Sequence, residues 1–521
     1  MDLPPALSAA IQSGIAWAYS FQPLAERTVL LCPPSLQALI GDASALVGLD
    51  YETTAMVLGL FLAYPLGVLF NFVPGRRAKH FFSAFFGAAI LQAVLAVQWA
   101  HLLLVAGACY LLFLLLPPPA CRYLVPALAM GYCVMGHLHR QYVNYMGWDL
   151  DFTGAQMVLT IKLWMLAFNL DDGYQIRTRK KGELSRATQK CERFALDGVP
   201  GPLEYFGYLF NFSTVLAGPA FEFSSYLAAV SGEAFSTPSG RKRPPALLPS
   251  LLPFLACLAC VAVHTRVAPA FTMLDPDDPQ RALPKILVAM APGTLMEGGM
   301  APAKAYAIHW AYVMASGAFN RMKYYFAWKC AEGACNTWYA GFEGWVENDK
   351  KELVERGWGN TCNVDIWSCE TASNCQMGTK LWNQKTAVWL GRYVYTRTNG
   401  NLFATYFVSA FWHGFYPGYY LFFMSLPLMT FCERMGRSKL TPVFGKNETG
   451  RFGPWGICSI VATQVILCYC AIPFILLSAE WSFAAWRQIH FAGHWAMLVF
   501  LGICFVMPGQ KKDKSDKKKK A

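Results

Sequence analysis

Charge is what this chain has least of. Of its 521 residues only 15% are Asp, Glu, Lys or Arg and 55% are hydrophobic, whereas ordinary soluble proteins carry about 25% charged residues. The mean hydropathy is +0.30. That balance excludes a disordered chain and an ordinary soluble domain, and leaves a polytopic membrane protein.

A disulfide framework is missing as well. Most of the 17 cysteines fall inside apolar runs (Cys109, Cys133, Cys257, Cys260, Cys458, Cys468, Cys470 and Cys504), where Cys behaves as a small hydrophobe. Cys362, Cys369 and Cys375 cluster in a loop, but their spacing fits no zinc module, so no metal is expected. A disulfide there requires an oxidising lumen. No cleavable leader is expected, because residues 1–19 begin acidic, contain Pro4 and Pro5 and lack a basic start. No internal repeat is visible, which argues against a transporter built from paired halves.

The net charge of +12 is concentrated in a few places. Arg76, Arg77 and Lys79 form one group, and Arg177, Arg179, Lys180 and Lys181 another. The tail holds Lys511, Lys512, Lys514 and Lys517 to Lys520. Between apolar spans such clusters mark cytoplasmic loops rather than a nucleic-acid surface, so the expected partner is the bilayer and not nucleic acid.

Residues 3–48 are mixed and are expected to lie along the membrane surface or dip into it. Spans are expected at 53–73, 82–99, 102–116, 123–137, 153–170, 247–263, 401–432, 455–478 and 491–507, with a longer, Gly/Pro-interrupted apolar region at 285–314. The 205–230 stretch is read as broken near Gly218-Pro219, an arrangement tolerated at membrane depth where it lines a cavity. The fold class is therefore all-α, with about 10–12 transmembrane or re-entrant helices. A single polytopic domain is expected over 1–508, with residues 1–52 peripheral, followed by a basic tail over 509–521.

Lys518-Lys519-Lys520-Ala521 fits a dilysine retrieval signal, which implies a multi-pass protein of the endoplasmic reticulum membrane with a cytoplasmic C-terminus. The alternative is a basic tail held at an anionic membrane surface, which places the end on the same side. Counting back two spans puts loop 433–454 in the cytoplasm too, in agreement with Arg434, Arg437, Lys439, Lys446 and Arg451. The sequon at Asn447 should then never meet the glycosylation machinery.

The stretch 401–432 carries one imidazole, His413, and no acid, lysine or arginine. A fully charged side chain near the centre of a span costs about 2.5 kcal/mol or more. Neutral imidazole costs less, which suits a base that works in a dry place. Gly414, Pro417 and Gly418 follow at once and loosen the helix. The plain alternative is a histidine that only pairs two helices. Residues 321–334, if helical, put Lys323, Tyr324 and Trp328 on one side with Arg321, Tyr325 and Glu332 close by; the alternative is an interfacial aromatic belt. Further on, Trp382, Thr386, Trp389 and Tyr393 form a helical stripe with Asn383 at its edge and Lys385, Arg392 and Arg397 at headgroup level. Such an Asn can also serve only to pair helices.

Together these stretches resemble the membrane-bound O-acyltransferase family, and within it the lysophospholipid acyltransferase branch, over residues 149–507. WHGFYPGYYLFF at 412–423 resembles the branch's WHGxxPGYxxxF signature, and the Asn383 stretch its Trp-Asn-x-x-Thr-x-x-Trp-Leu pattern. RMKYYFAWKCAEGA at 321–334 and GVPGPLEYFGYLFNFSTVLAGP at 198–219 resemble two further blocks. Trp148-Asp149 resembles a short upstream motif. His490 stands where the family's last block has tyrosine.

The resemblance implies many helices around a reaction chamber and transfer of an acyl group from acyl-CoA to the free hydroxyl of a lysophospholipid, lysophosphatidylcholine and related headgroups foremost. It implies His413 and Asn383 as the catalytic pair and acyl-CoA as co-substrate with no other cofactor. Trp412, Tyr416, Pro417, Gly418, Tyr419, Arg321, Lys323, Tyr324, Tyr325, Trp328, Glu332, Trp382, Thr386, Trp389, Gly218 and Pro219 are implied to bind substrate. A homodimer is compatible with it. Two openings are expected to meet at His413, a cytoplasmic tunnel for CoA and a lateral gap for the lysophospholipid. The alternatives are another acceptor (diacylglycerol, sterol or protein) and a transporter in which His413 relays protons.

Topology is testable directly. In sealed microsomes a protease should cleave a tag at Ala521 without detergent, and Asn447 should carry no glycan. A glycan on Asn447 would reverse the orientation of this end of the chain.

Overall fold

The computed structural model describes residues 34–147, 149–273, 288–444 and 453–506. The basic tail, the Asn447 sequon, Trp148, the beginning of the interfacial stretch 3–48 and the start of the 285–314 stretch lie outside the described residues. Helices supply nearly all of the regular structure. The strands among the described residues are two antiparallel ribbons, Ser236–Thr237 with Gly240–Arg241 and Trp345–Glu347 with Leu353–Glu355.

Among the described residues four helical segments are long and apolar enough to cross a membrane: Tyr51–Phe70, Arg76–Leu115, Leu247–Arg266 and Gly456–Leu476. The pair Ala479–Gln488 and Ala492–Val506, bent by 72°, makes a fifth if it is one broken span. Pro118–Val143, Thr153–Thr178, Pro302–Thr337 and Pro417–Phe444 are long enough as well but carry more polar side chains. Leu58, Leu62 and Leu69 on the first span and Leu248, Leu252 and Leu255 on Leu247–Arg266 stand exposed, an apolar exterior suited to lipid. Where 285–314 was expected to form one interrupted region, a short helix Pro292–Glu297 precedes the continuous Pro302–Thr337. Cys362, Cys369 and Cys375 are free thiols.

The chain divides into two compact units. One comprises Met1–Arg266, Met322–Val364 and Asn383–Phe415, the other Val267–Arg321, Asp365–Trp382 and Tyr416–Ala521. In the second, the Arg321 guanidinium forks onto Glu370 at 2.8 and 2.6 Å, and Gln464 donates to the Cys369 and Glu370 carbonyls at 3.0 Å. Tyr469 packs between Trp310 and Trp486 and hydrogen-bonds His494 at 2.6 Å.

The first unit is built round Thr153–Thr178, a helix buried along most of its length. Elements around it approach one another closely where small residues let them. At Gly87 in Arg76–Leu95 an added Cβ would sit 1.6 Å from the Phe210 carbonyl oxygen, so that helix lies directly on the backbone after Pro202–Leu209. Ser83, one turn earlier, donates to the Gly207 carbonyl at 2.7 Å.

A helix enclosed on all sides must find partners for its polar side chains inside the protein. Lys162, wholly buried, donates to the carbonyls of Tyr208 (3.0 Å) and Leu209 (3.2 Å) and to the Thr214 hydroxyl (2.8 Å). Those carbonyls end Pro202–Leu209, where a helix leaves acceptors without intrahelical donors and favours a cation. Lysine thus fastens the broken 205–230 segment to the central helix.

Replacing Lys162 by Met keeps the length of the side chain and removes all its donors. The expected loss is roughly 2–4 kcal/mol from stranded buried acceptors, seen as a lower unfolding midpoint of the detergent-solubilised protein. An unchanged midpoint would show that the lysine is not a fastening.

Candidate active site

Asn401 caps the helix Leu402–His413 by accepting from the Ala404 amide at 2.9 Å, and Gly414 ends it. Gly414 has φ 116 and ψ −158, a conformation open only to glycine. The stretch 401–432, expected as one span, is therefore two helices, Leu402–His413 and Pro417–Phe444, with Pro417 opening the second. His413 is the last residue of the first helix. Its Nδ1 lies 2.7 Å from the Ser409 carbonyl oxygen. A carbonyl only accepts, so Nδ1 carries the proton and the lone pair of the neutral ring sits on Nε2.

The residues on either side of His413 are held as firmly. The Trp412 indole donates to the Met157 carbonyl at 3.1 Å, and the Trp412 carbonyl accepts from His137 Nε2 at 3.1 Å. Trp412 is packed 5.8 Å from Trp389, which meets Trp164 edge-on at 5.4 Å. Met130, Ile161, Met165, Phe168, Ala220 and Tyr393 complete this buried cluster. Ala220 brings in the Gly218-Pro219 break, so the structure gathers that break, Trp389 and Trp412 at one place. Gly218 has φ +81, so a bulky replacement there would strain the backbone as well as fill space.

The stripe expected over Trp382–Tyr393 needs correction. The helix begins only at Gln384, because Asn383 is left-handed at φ 47 and ψ 56, a conformation that breaks a helix and that Asn tolerates. Trp382 belongs to the preceding helical end, after Cys375–Leu381. The Asn383 side chain does not cap the helix it opens. Instead Asn363 takes the Gln384 amide on its carbonyl at 2.7 Å and the Lys385 amide on its side chain at 3.0 Å. Thr386 and Trp389 are buried on Gln384–Trp389, and the chain then widens into a π-turn over Leu390–Tyr395. The Lys385 ammonium donates to the Gly359 carbonyl at 2.8 Å, and burial holds its pKa below the ordinary lysine value.

A buried polar network anchors this segment. Glu222 receives Arg392 at 2.8 Å, Asn169 at 3.0 Å and the Tyr393 hydroxyl at 3.0 Å. Arg397 forks onto Asp172 at 3.0 and 2.6 Å, with its guanidinium 4.7 Å above the Phe168 ring. Asn169 and Asp172 both belong to Thr153–Thr178. None of Glu222, Asn169, Asp172, Trp164 or His137 was singled out from sequence, although polar residues inside an apolar run are the signal that marks such positions.

The other expected site residues fall in both units. In the first, Lys323 lies 5.3 Å over the Tyr324 ring, Tyr324 packs 5.8 Å from Trp328, Tyr325 is fully buried and Glu332 pairs with Lys329 at 2.8 Å. In the second, Arg321 is committed to Glu370, and Tyr416 packs 6.0 Å from Tyr419, which meets Phe474 at 5.1 Å. The Gly418 amide donates to the Leu477 carbonyl at 2.7 Å, and a Cβ there would lie 2.1 Å from the Pro473 oxygen, so Gly418 is where two backbones meet. His490 is exposed with φ 50.

Fold and site define first a class: a membrane-embedded helical protein holding an imidazole of fixed tautomer at the end of a helix. Residues 138–479 match the family described as MBOAT, membrane-bound O-acyltransferase family, and the chain belongs to that family. Lysophospholipid acyltransferase 6 of Drosophila melanogaster is 28% identical over 483 residues, 89% of this chain and 62% of that protein. The chain thus spans less than two thirds of that relative's length. Membrane-bound glycerophospholipid O-acyltransferase 2 of Gallus gallus is 28% identical over 433 residues, covering 80% of this chain and 76% of the relative. Lysophospholipid acyltransferase 1 of Arabidopsis thaliana is 26% identical over 476 residues, covering 89% of this chain and 96% of the relative.

The Arg397–Asp172 pair should behave as a unit. Arg397→Leu and Asp172→Leu should each cost about 3–5 kcal/mol, because each strands a buried charge, and the double variant should recover some of that. A double-mutant cycle in thermal unfolding checks it; strict additivity would show that the two do not depend on one another.

Proposed function

We propose that this protein is a lysophospholipid acyltransferase of the endoplasmic reticulum membrane that uses acyl-CoA as donor. The observation that carries the reading is the His413 turn, where a hydrogen bond to Ser409 leaves the basic lone pair on Nε2. Family membership and the names of the relatives support the reaction class and the acceptor.

In the proposed reaction, Nε2 of His413 takes the proton of the lysophospholipid hydroxyl as its oxygen attacks the thioester carbonyl. The acceptor pKa lies far above seven, so a positioned base is required in the transition state. The new C–O bond forms, the C–S bond breaks, and the proton passes from the imidazolium to the departing CoA thiolate. No covalent enzyme intermediate is needed, because the thiolate leaves readily. The Asn383 amide is assigned to the developing oxyanion, or to orienting the histidine or the acceptor. The apolar surroundings keep water from the thioester. The CoA head enters from the cytoplasm, and each acyl methylene buried between helices contributes about 0.8 kcal/mol to binding.

Purified protein given labelled acyl-CoA with a panel of lysophospholipids, diacylglycerol and sterol tests this. Labelled phospholipid should form, and His413→Ala should abolish it while the protein stays folded and inserted. Asn383→Ala should lose roughly 10²–10³-fold in kcat, the usual worth of one oxyanion donor. Full transfer by a well-expressed His413→Ala variant would sink the mechanism, and product only with diacylglycerol or sterol would move the acceptor.

A further inference from the structure

We propose that His137 is a positioning residue for His413, a second imidazole that grips the backbone on both sides of the base. The proposal rests on the reading of His413 as that base.

His137 sits on Pro118–Val143, one turn after Cys133, whose sulfur lies 3.5 Å from the His137 Nε2. The same nitrogen is 3.1 Å from the Trp412 carbonyl oxygen. Carbonyl oxygen only accepts, so Nε2 carries the proton and donates. The Trp412 carbonyl belongs to the last turn of Leu402–His413, where carbonyls lack intrahelical donors. With the helix stopped at Gly414, the Gly414 amide turns back to the Ala410 and Phe411 carbonyls at 3.2 and 3.3 Å. The donor for the Trp412 carbonyl comes from another helix, and it is His137.

The opposite contact is steric. A Cβ built on Gly414 would meet the His137 side chain at 3.2 Å from Cγ, 3.3 Å from Cβ and 3.4 Å from Nδ1. The glycine is required for its φ of 116, and any side chain in its place would also crowd the His137 ring by a few tenths of an ångström. One imidazole thus holds the carbonyl before His413 and the α-carbon after it. The Trp412 indole, bonded to Met157, fixes the same turn from Thr153–Thr178. A base must be held to a fraction of an ångström, since a displacement of about 1 Å can cost roughly 10²-fold in rate.

The test compares two substitutions of matched length in the full chain, reconstituted in lipid nanodiscs with labelled acyl-CoA and lysophosphatidylcholine. His137→Gln retains an N–H donor at similar reach, whereas His137→Met fills the space without one. Methionine should lower kcat roughly ten- to a hundredfold with KM for both substrates within about twofold, and glutamine should stay within about threefold of the parent. Equal kcat in the two variants would overturn the proposal. A change confined to KM would do the same, as would loss of the folded species in both, because His137 would then be a structural strut. An inactive parent protein overturns the functional reading itself. An active parent with an inactive His413→Ala variant and indistinguishable His137 variants overturns only this grip.

Discussion

The Asp172–Arg397 ion pair and the hydrogen bonds that tie Thr153–Thr178 and Glu222 to the segment after Asn383 are the constraint on which the first unit depends. Charges inside protein and lipid are costly unless each meets its partner with good geometry. Here Asp172 meets Arg397, and Glu222 meets Arg392, with Asn169 and Tyr393 filling the remaining acceptor and donor sites of that cluster. These pairs tie the Asn383 segment to its neighbours at defined positions, with the Arg397 Nε left buried without a partner. Lys162 does the same for the broken 205–230 segment, through the carbonyls that end Pro202–Leu209. One central helix, polar along one run and apolar along the rest, therefore sets the positions of two irregular stretches whose backbones cannot hold themselves.

Irregular backbone borders the buried Trp389–Trp412 cluster: Gly218 and Gly414 have positive φ, and Leu390–Tyr395 is a π-turn. Non-helical backbone at membrane depth survives only where protein or a cavity satisfies it, and such departures concentrate at functional positions. Ala220, Trp389 and Trp412 share one buried cluster, which places the neighbours of these three irregularities against one another.

Some of this was legible in sequence for physical reasons. An imidazole followed by Gly and Pro inside an apolar run announces a break, and the helix does stop at Gly414. Gly218-Pro219 likewise announced a break between two short helices. The Trp382–Tyr393 stripe was misread because side-chain periodicity says nothing of a left-handed Asn, which tolerates that conformation without looking different in a helical pattern. The polar network escaped because its partners are distant in sequence, 170 residues for Glu222 and Arg392 and 225 for Asp172 and Arg397. Read singly, each residue is a span's exception or a loop's charge. Only the fold makes them pairs.

The placement of His413 at a helix end has a consequence for the proposed reaction. The C-terminus of a helix carries a partial negative charge from its unpaired carbonyls, and a cation there gains typically 0.3–1 kcal/mol, more when partly buried. In the proposed reaction the imidazole binds substrates uncharged and becomes imidazolium only as it accepts the hydroxyl proton. The Ser409 carbonyl already holds the Nδ1 proton, so the charge that arrives at Nε2 is spread towards an acceptor that is in place beforehand. Stabilisation that appears only when the proton moves lowers the barrier without tightening the ground state. A histidine in the middle of a continuous helix would lack the partial negative charge of a helix end, and one in a loop would lack the Ser409 carbonyl that fixes the tautomer. The break at Gly414 supplies the first and the bond to Ser409 the second, which gives the proposed reaction a physical reason to place its base where the helix stops.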